Sequence, residues 1–148
     1  MDYQNKFIEL IRKNKFQLKQ IQINQFYQKY KLHINISHKN EEPFREACRN
    51  GHFEVSKWLY ENKPTIDISA KNEQPFRNAC RNGHFELAKW LYQIKPAIYI
   101  SAQNEQAFPN ACRNGHLKLV KWLQTIIPYG LYYTFQVAQN NKITLYST

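Results

Sequence analysis

The sequence predicts an all-α fold, a solenoid of stacked helix-turn-helix repeats joined by short extended links, and three observations carry that expectation. First, one pattern stands three times in the chain: NEEPFREACRNGHFEVSKWLYENKP from Asn40, NEQPFRNACRNGHFELAKWLYQIKP from Asn72 and NEQAFPNACRNGHLKLVKWLQTIIP from Asn104. Second, its landmarks keep a step of 32 residues, seen in Gly51, Gly83 and Gly115, in Cys48, Cys80 and Cys112, in Trp58, Trp90 and Trp122, and in Pro64, Pro96 and Pro128. Internal repeats of that length mark a solenoid or a propeller. Third, each half of the pattern has the apolar spacing of a short helix. Helices this short are not stable alone, so neighbouring copies must stack.

The middle copy shows how each element is bounded. Asn72 is a good N-cap, Glu73 puts negative charge in the first turn, and Pro75 falls within that turn, where a missing amide is tolerated. Phe76, Ala79 and Cys80 then lie at i, i+3 and i+4 on one narrow apolar face, and Asn82-Gly83 supplies a residue able to take φ > 0 and close the helix. From Phe85 a second helix turns Leu87, Ala88, Trp90 and Leu91 to one side and Glu86, Lys89 and Gln93 to the other, until Pro96 ends it. Ile98 and Ile100 alternate with Tyr99 and Ser101, which predicts an extended link to the next copy.

Residues 40–71, 72–103 and 104–128 are the clear repeats, within one domain of 148 residues. Before them, LHINISHKN from Leu32 lines up with PTIDISAKN from Pro64 and PAIYISAQN from Pro96, so residues 1–39 are expected to form a degenerate capping repeat. Phe7, Leu10 and Ile11 would be the inward stripe of its first helix, Asn14 would take the left-handed turn, and Phe16, Leu18, Ile21 and Phe26 would continue into a longer second helix. After Pro128, FQVAQNNKITLY from Phe135 keeps the Phe-x-x-Ala-x-x-Asn spacing of FPNACRNGHLKL from Phe108, so residues 129–148 read as a truncated C-terminal cap. The aromatic run from Tyr129 to Tyr133 either covers the end of the stack or docks a partner.

The pattern P-F-R-x-A-C-R-N-G-H-F-E-L-A-K-W-L-Y resembles the ankyrin repeat, whose usual motif runs T-P-L-H-x-A-A-x-x-G-H-x-x-V-V-x-L-L with a period of about 33 residues. The Trp-Leu ending, the Cys in place of the second Ala and the Lys-Pro link resemble the ankyrin proteins that large AT-rich DNA viruses of amoebae encode in many copies. Three departures stand out. Gln74 replaces the capping Thr, Arg45 and Arg77 replace the His whose hydrogen bonds tie neighbouring repeats together, and the Gly after the second helix is missing. The resemblance implies a non-catalytic module that binds a protein partner on its concave face, a host protein if the viral likeness holds.

Composition narrows the function classes. No run of about 18 apolar residues is present to span a bilayer, and the first residues, MDYQNKFIELIRKNK, lack the pattern of a signal peptide. A cytoplasmic chain is expected, in the host cell if viral, with the nucleus as the alternative compartment. The formal net charge of +10 is uneven, because residues 1–39 hold eight Lys or Arg against Asp2 and Glu9. Such asymmetry points to nucleic acid or an anionic surface, with Tyr27, Tyr30 and Lys31 beside the basic residues, or else to a solvated lysine-rich cap. AT-rich coding alone can produce the abundance of Asn, Lys, Ile and Tyr.

Catalysis and metal binding find no support in the pattern. Cys48/His52, Cys80/His84 and Cys112/His116 have a Cys-x-x-x-His spacing, but a zinc site needs four ligands converging on one point. Stacked repeats set equivalent residues about 10 Å apart instead, which also places the thiols beyond the Cα separation of about 7 Å that a disulfide allows. The only aspartates are Asp2 and Asp67, each histidine of the repeat recurs with it, and no glycine-rich phosphate loop is present. No enzyme, metal or cofactor is expected, and the chain is expected to be a monomer. Trp58, Trp90 and Trp122 follow the apolar stripe and read as packing residues. Arg49, Arg81 and Arg113 stand just before the Asn-Gly turn, where they serve either as a basic ladder for a partner or as solvated charges favoured by the helix dipole. The expected contact surface comprises these arginines, bordered by Glu41, Glu73 and Glu105 and by the link residues Lys39, Lys71 and Gln103.

Overall fold

Helix pairs in chain order, with a short hairpin after the last of them, make up the described part of the protein, a computed structural model covering residues 2–13, 18–95, 107–126, 133–137 and 143–147. The elements are α1 (Tyr3–Arg12), α2 (Leu18–Tyr30), a 3-10 turn (Lys31–His33), α3 (His38–Arg49), α4 (Phe53–Asn62), α5 (Ala70–Arg81), α6 (Phe85–Ile94), α7 (Ala107–Arg113), α8 (Leu117–Ile126), β1 (Tyr133–Val137) and β2 (Ile143–Ser147). This is the all-α helix-turn-helix class the repeat predicts, with a hairpin added. The chain divides into two compact units, Met1–Pro75 and Phe76–Thr148, with the division falling inside α5.

The first helices of the three clear repeats close in the same way. In α3 the N–H of Gly51 donates to Cys48 O at 3.3 Å and that of His52 to Ala47 O at 3.0 Å, the two bonds of a Schellman ending. The same pair recurs at Gly83 and His84 and at Gly115 and His116. Gly51, Gly83 and Gly115 take φ of 71°, 77° and 73° in that turn, where a side chain is strained.

The helix starts differ from the sequence expectation. Lys39, Asn40 and Glu41 have φ of 47°, 56° and 61°, and Lys71, Asn72 and Glu73 have 52°, 58° and 58°. Asn72 is therefore not an N-cap; it sits in the middle of a left-handed turn, and the right-handed part of α5 begins only after Glu73. Left-handed backbone costs roughly 1–2 kcal/mol per non-glycine residue, so the turn needs compensation. In the first unit Arg45 provides it: Nε donates to Asn40 O at 2.7 Å and Nη2 to Lys39 O at 3.0 Å. The buried Glu41 carboxylate closes the turn from within, with both oxygens 2.7 Å from Ser37 Oγ and one 4.0 Å from Lys63 Nζ. Lys63 Nζ also meets Ser37 Oγ.

Two of the departures from the ankyrin motif prove to be partners of each other. Arg45 Nη1 donates to Gln74 Oε1 at 2.7 Å, so the pair that replaces His and Thr still ties one repeat to the start of the next. Arg12 makes the corresponding link from the N-terminal pair, donating to Glu42 at 2.9 Å and to Glu46 at 3.2 Å.

In the first unit α1 packs on both α2 and α3, and α3 packs on α4. Phe7, Ile11, Phe44, Ala47, Cys48 and Leu59 are fully enclosed, and the Trp58 ring stands edge-on to Tyr27 at 5.3 Å and to Phe7 at 6.4 Å. The capping stripe differs in detail from expectation. Ile8 is buried while Leu10 is half-buried, and Ile21 points outward at 60% exposure while Ile23 fills the interior. Asn14 and Phe16 lie outside the described residues, as does the Leu18 side chain. The link before the second clear repeat buries Ile66 and Ile68, so it contributes to the core. Ile98 and Ile100 lie outside the described residues.

In the second unit Phe76, Ala79 and Cys80 on α5 and Leu87, Ala88 and Leu91 on α6 are buried, as are Ala111, Cys112, Leu119, Val120 and Leu123 on α7 and α8. Trp122 ties the pairs together, its ring 5.9 Å from Phe85, 5.8 Å from Tyr92 and 6.5 Å from Phe76. The C-terminal segment is not helical where it is described. β1 and β2 pair antiparallel in the register Tyr133↔Ser147, Phe135↔Leu145 and Val137↔Ile143, and β2 lies against α7. The Phe-x-x-Ala-x-x-Asn spacing misleads here, because the β-branched and aromatic residues at Thr134, Phe135, Val137, Ile143, Thr144 and Tyr146 suit strands. Tyr133 opens β1, and Tyr129 to Tyr132 lie outside the described residues.

Candidate partner-binding surface

Arg49, Arg81 and Arg113 occupy one and the same backbone position, the last residue of α3, α5 and α7, and all three are exposed. Their surroundings differ. Arg49 Nη1 lies 3.9 Å from Glu46 Oε1, one turn back on its own helix. Among the described residues no carboxylate approaches the Arg81 or Arg113 guanidinium within ion-pair distance, and one turn back from them α5 and α7 carry the half-buried amides Asn78 and Asn110 where α3 has Glu46.

The frame that carries Arg81 is built by the following repeat. Asn114 Nδ2 donates to Arg81 O at 2.7 Å, and His116 Nε2 donates to the same carbonyl at 3.0 Å. A carbonyl only accepts, so Nε2 carries the imidazole proton. The other edge of the ring lies over Gly83, close enough that a Cβ there would fall 2.5 Å from His116 Nδ1. His116 is therefore a bracing residue, as the ankyrin resemblance implies.

The acidic members of the expected surface turn away from it. Glu41 and Glu73 are only 7% and 9% exposed, and Glu41 is engaged by Ser37, Lys63 and the Asp67 N–H, the last at 3.5 Å. Carboxylates held inside the left-handed turns are not available to a partner, and this corrects the reading of Glu41 and Glu73 as contact residues. Lys39 and Lys71 are exposed on those turns, while Glu105 and Gln103 lie outside the described residues. What the sequence did not single out is Asn114: its recurrence with Asn50 and Asn82 read only as turn chemistry, although its side chain joins two repeats.

The basic N-terminus is partly neutralised by its own contacts. Arg12 is committed to Glu42 and Glu46, Lys6 lies 3.3 Å from Glu9, and Lys13 pairs with the same carboxylate. Lys29 lies over the Tyr30 ring at 5.3 Å, and Tyr30 in turn stacks on Tyr3 at 4.3 Å.

Cys48, Cys80 and Cys112 are free and buried. Burial pushes all three thiols above the ordinary range, Cys48 to about 12 despite Ser56 Oγ nearby, Cys112 to about 11, and Cys80 further still. Among the described residues no three His, Cys, Asp or Glu side chains gather as metal ligands, and no helix is long and apolar enough to cross a membrane. The thiols should resist a thiol-specific reagent at pH 8 in the folded protein and react fully once it is denatured. Because the folded thiols ionise later than unfolded ones, their contribution to stability is complete below pH 9 and declines as the pH rises toward 12. Rapid labelling of the native protein at pH 8 would contradict this burial.

Short helix pairs closed by a Gly-His turn, stacked through an apolar interior and braced by inter-repeat hydrogen bonds, define a helical repeat protein. The family described as Ankyrin repeats (3 copies) matches over residues 10–104 and 44–134, and the chain belongs to that family. No curated protein matches the sequence. Ankyrin repeats generally mediate protein–protein interaction.

Proposed function

We propose that the chain is a non-catalytic binding module that takes a protein partner on the inner, concave face of its repeats, at the C-terminal ends of the first helices. The observation that carries this reading is the recurrence of one exposed arginine, Arg49, Arg81 and Arg113, at an identical backbone position in all three clear repeats. Arg81 O, at the end of α5, already has two side-chain donors in Asn114 and His116, so the guanidinium is not needed there. Lys39 and Lys71, exposed on the left-handed turns of the first unit, are further proposed contact residues. If the likeness to the ankyrin proteins of amoebal viruses holds, the partner is a host protein met in the host cytoplasm, and the module works as a monomer.

The experiment is capture of the native partner by the parent and by the triple variant Arg49→Ala, Arg81→Ala, Arg113→Ala. Truncating exposed polar side chains changes stability by only about 0.5 kcal/mol each, so lost capture with an unchanged melting temperature reports contact. The expected result is loss of capture by the folded triple variant. A folded triple variant that still captures the partner would move the site elsewhere. Nucleic-acid binding is the competing reading, and its basis is weakened by the ion pairs of Arg12, Lys6 and Lys13. It predicts affinity that collapses between low and physiological salt.

A further inference from the structure

We propose that Arg81 and Arg113 form a paired cationic site for an acidic, carboxylate-bearing segment of the partner, an inference that rests on the binding role above and names the chemistry recognised. The two arginines are neighbours by construction. The residue that follows Arg113, Asn114, donates from its side chain to the carbonyl of Arg81 at 2.7 Å, so the C-terminal ends of α5 and α7 are joined directly. His116 makes the second bond to that carbonyl, at 3.0 Å, while its ring rests on Gly83. Both side chains thus project from a braced backbone and not from a loose loop.

The charge around them is one-sided. Among the described residues neither guanidinium has a carboxylate partner, and the acid that Arg49 finds at Glu46 is replaced by Asn78 and Asn110 in the next two repeats. Glu86, the acidic residue nearest in sequence on α6, is occupied by Lys118 at 3.1 Å. Two like charges on adjoining helix ends, without a counter-ion among the described residues, are complementary to a ligand carrying negative charge at matching intervals. Guanidinium favours carboxylate through paired, charge-assisted hydrogen bonds. Packed helices repeat at about 10 Å, and a polyproline II chain advances about 3.1 Å per residue with three residues per turn. Carboxylates at every third position of such a chain therefore fall on one edge, one repeat apart.

The test measures fluorescence polarisation of a labelled peptide of Glu-Pro-Pro units, about 12 residues long, against the same peptide with Gln for Glu. Saturable binding of the Glu peptide alone is expected. The double variant Arg81→Ala, Arg113→Ala should weaken it about tenfold or more, while the double variant Lys89→Ala, Lys121→Ala, at exposed positions of α6 and α8, should change it less than about threefold. The Arg81→Ala change keeps the Arg81 carbonyl, so Asn114 and His116 retain their acceptor and the frame survives; circular dichroism checks this. Equal binding of the Gln peptide, no binding of the Glu peptide, or equal loss from the Lys89 and Lys121 variant would overturn the proposal. So would a single-stranded oligonucleotide of the same charge that displaces the peptide and binds more tightly. Absent peptide binding together with lost partner capture by the triple arginine variant would sink this inference and leave the binding role standing. Peptide binding through Arg81 and Arg113 with undiminished capture by that variant would do the reverse.

Discussion

Gly83→Val is expected to cost about 3–7 kcal/mol of folding stability, a large part of the 5–15 kcal/mol typical of a domain. Three effects act at one position. The φ of 77° is a strained conformation for a β-branched residue, worth about 1–3 kcal/mol. The new Cβ would fall 2.5 Å from His116 Nδ1 and 2.6 Å from Cε1, and such overpacking costs typically 1–3 kcal/mol, about the same again. If the imidazole is pushed aside, its bond to Arg81 O goes too, worth about 1 kcal/mol. Gly115 supplies the internal control. Its φ of 73° is nearly the same, but nothing lies within 4 Å of the position a Cβ would take. Gly115→Val should therefore show the backbone strain alone, about 1–3 kcal/mol. Urea unfolding of the two variants should separate their midpoints clearly. Removing the imidazole with His116→Ala should recover part of the loss in a Gly83→Ala background, a coupling a double-mutant cycle reads directly. Matching midpoints for the two valine variants would show that the His116 contact carries no energy.

Phe76→Ala should destabilise by about 3–5 kcal/mol, since truncating a buried Phe loses both the transfer energy of the ring and the contacts around the cavity left behind. Phe76 is wholly enclosed, and its ring faces Trp122 from the next repeat at 6.5 Å, so the cavity opens at a seam between repeats. A neighbour as large as Trp122 is itself pinned by Phe85 and Tyr92, which limits collapse into the space. Phe76→Leu keeps most of the volume and should cost less than about 1.5 kcal/mol. Calorimetric melting of the two variants checks the ordering. A Phe76→Ala variant that melts with the parent would show that the seam is not where the stability of the second unit lies.

Much of the architecture was legible before any coordinates. The 32-residue step located every helix pair between Asn40 and Ile126 that the structure describes, because a glycine able to hold a left-handed turn and an apolar i, i+3, i+4 stripe are local properties of the chain. Trp58 and Trp122 were legible as packing residues for the same reason. The strand pairing after α8 was misread because a three-residue spacing copied from the repeat outweighed the alternation of β-branched and aromatic residues, and over so short a stretch the two periods compete.

The sequence by itself determined the repeat, its helix pairs, their Gly-His turns and the core residues of the first helices of the clear repeats, since each follows from backbone preference and hydrophobic period. The tertiary structure alone decided the left-handed turns at residues 39–41 and 71–73 and the inward direction of Glu41 and Glu73. The physical reason is that a left-handed run of non-glycine residues is unfavourable on its own. In the first unit it is held by side chains far from it in the chain or outside its own turn: Arg45 on its carbonyls, and Lys63 with Ser37 on its carboxylate. In the same way the end of α5 is joined to the end of α7 only by side chains of the next repeat, Asn114 and His116, on the Arg81 carbonyl.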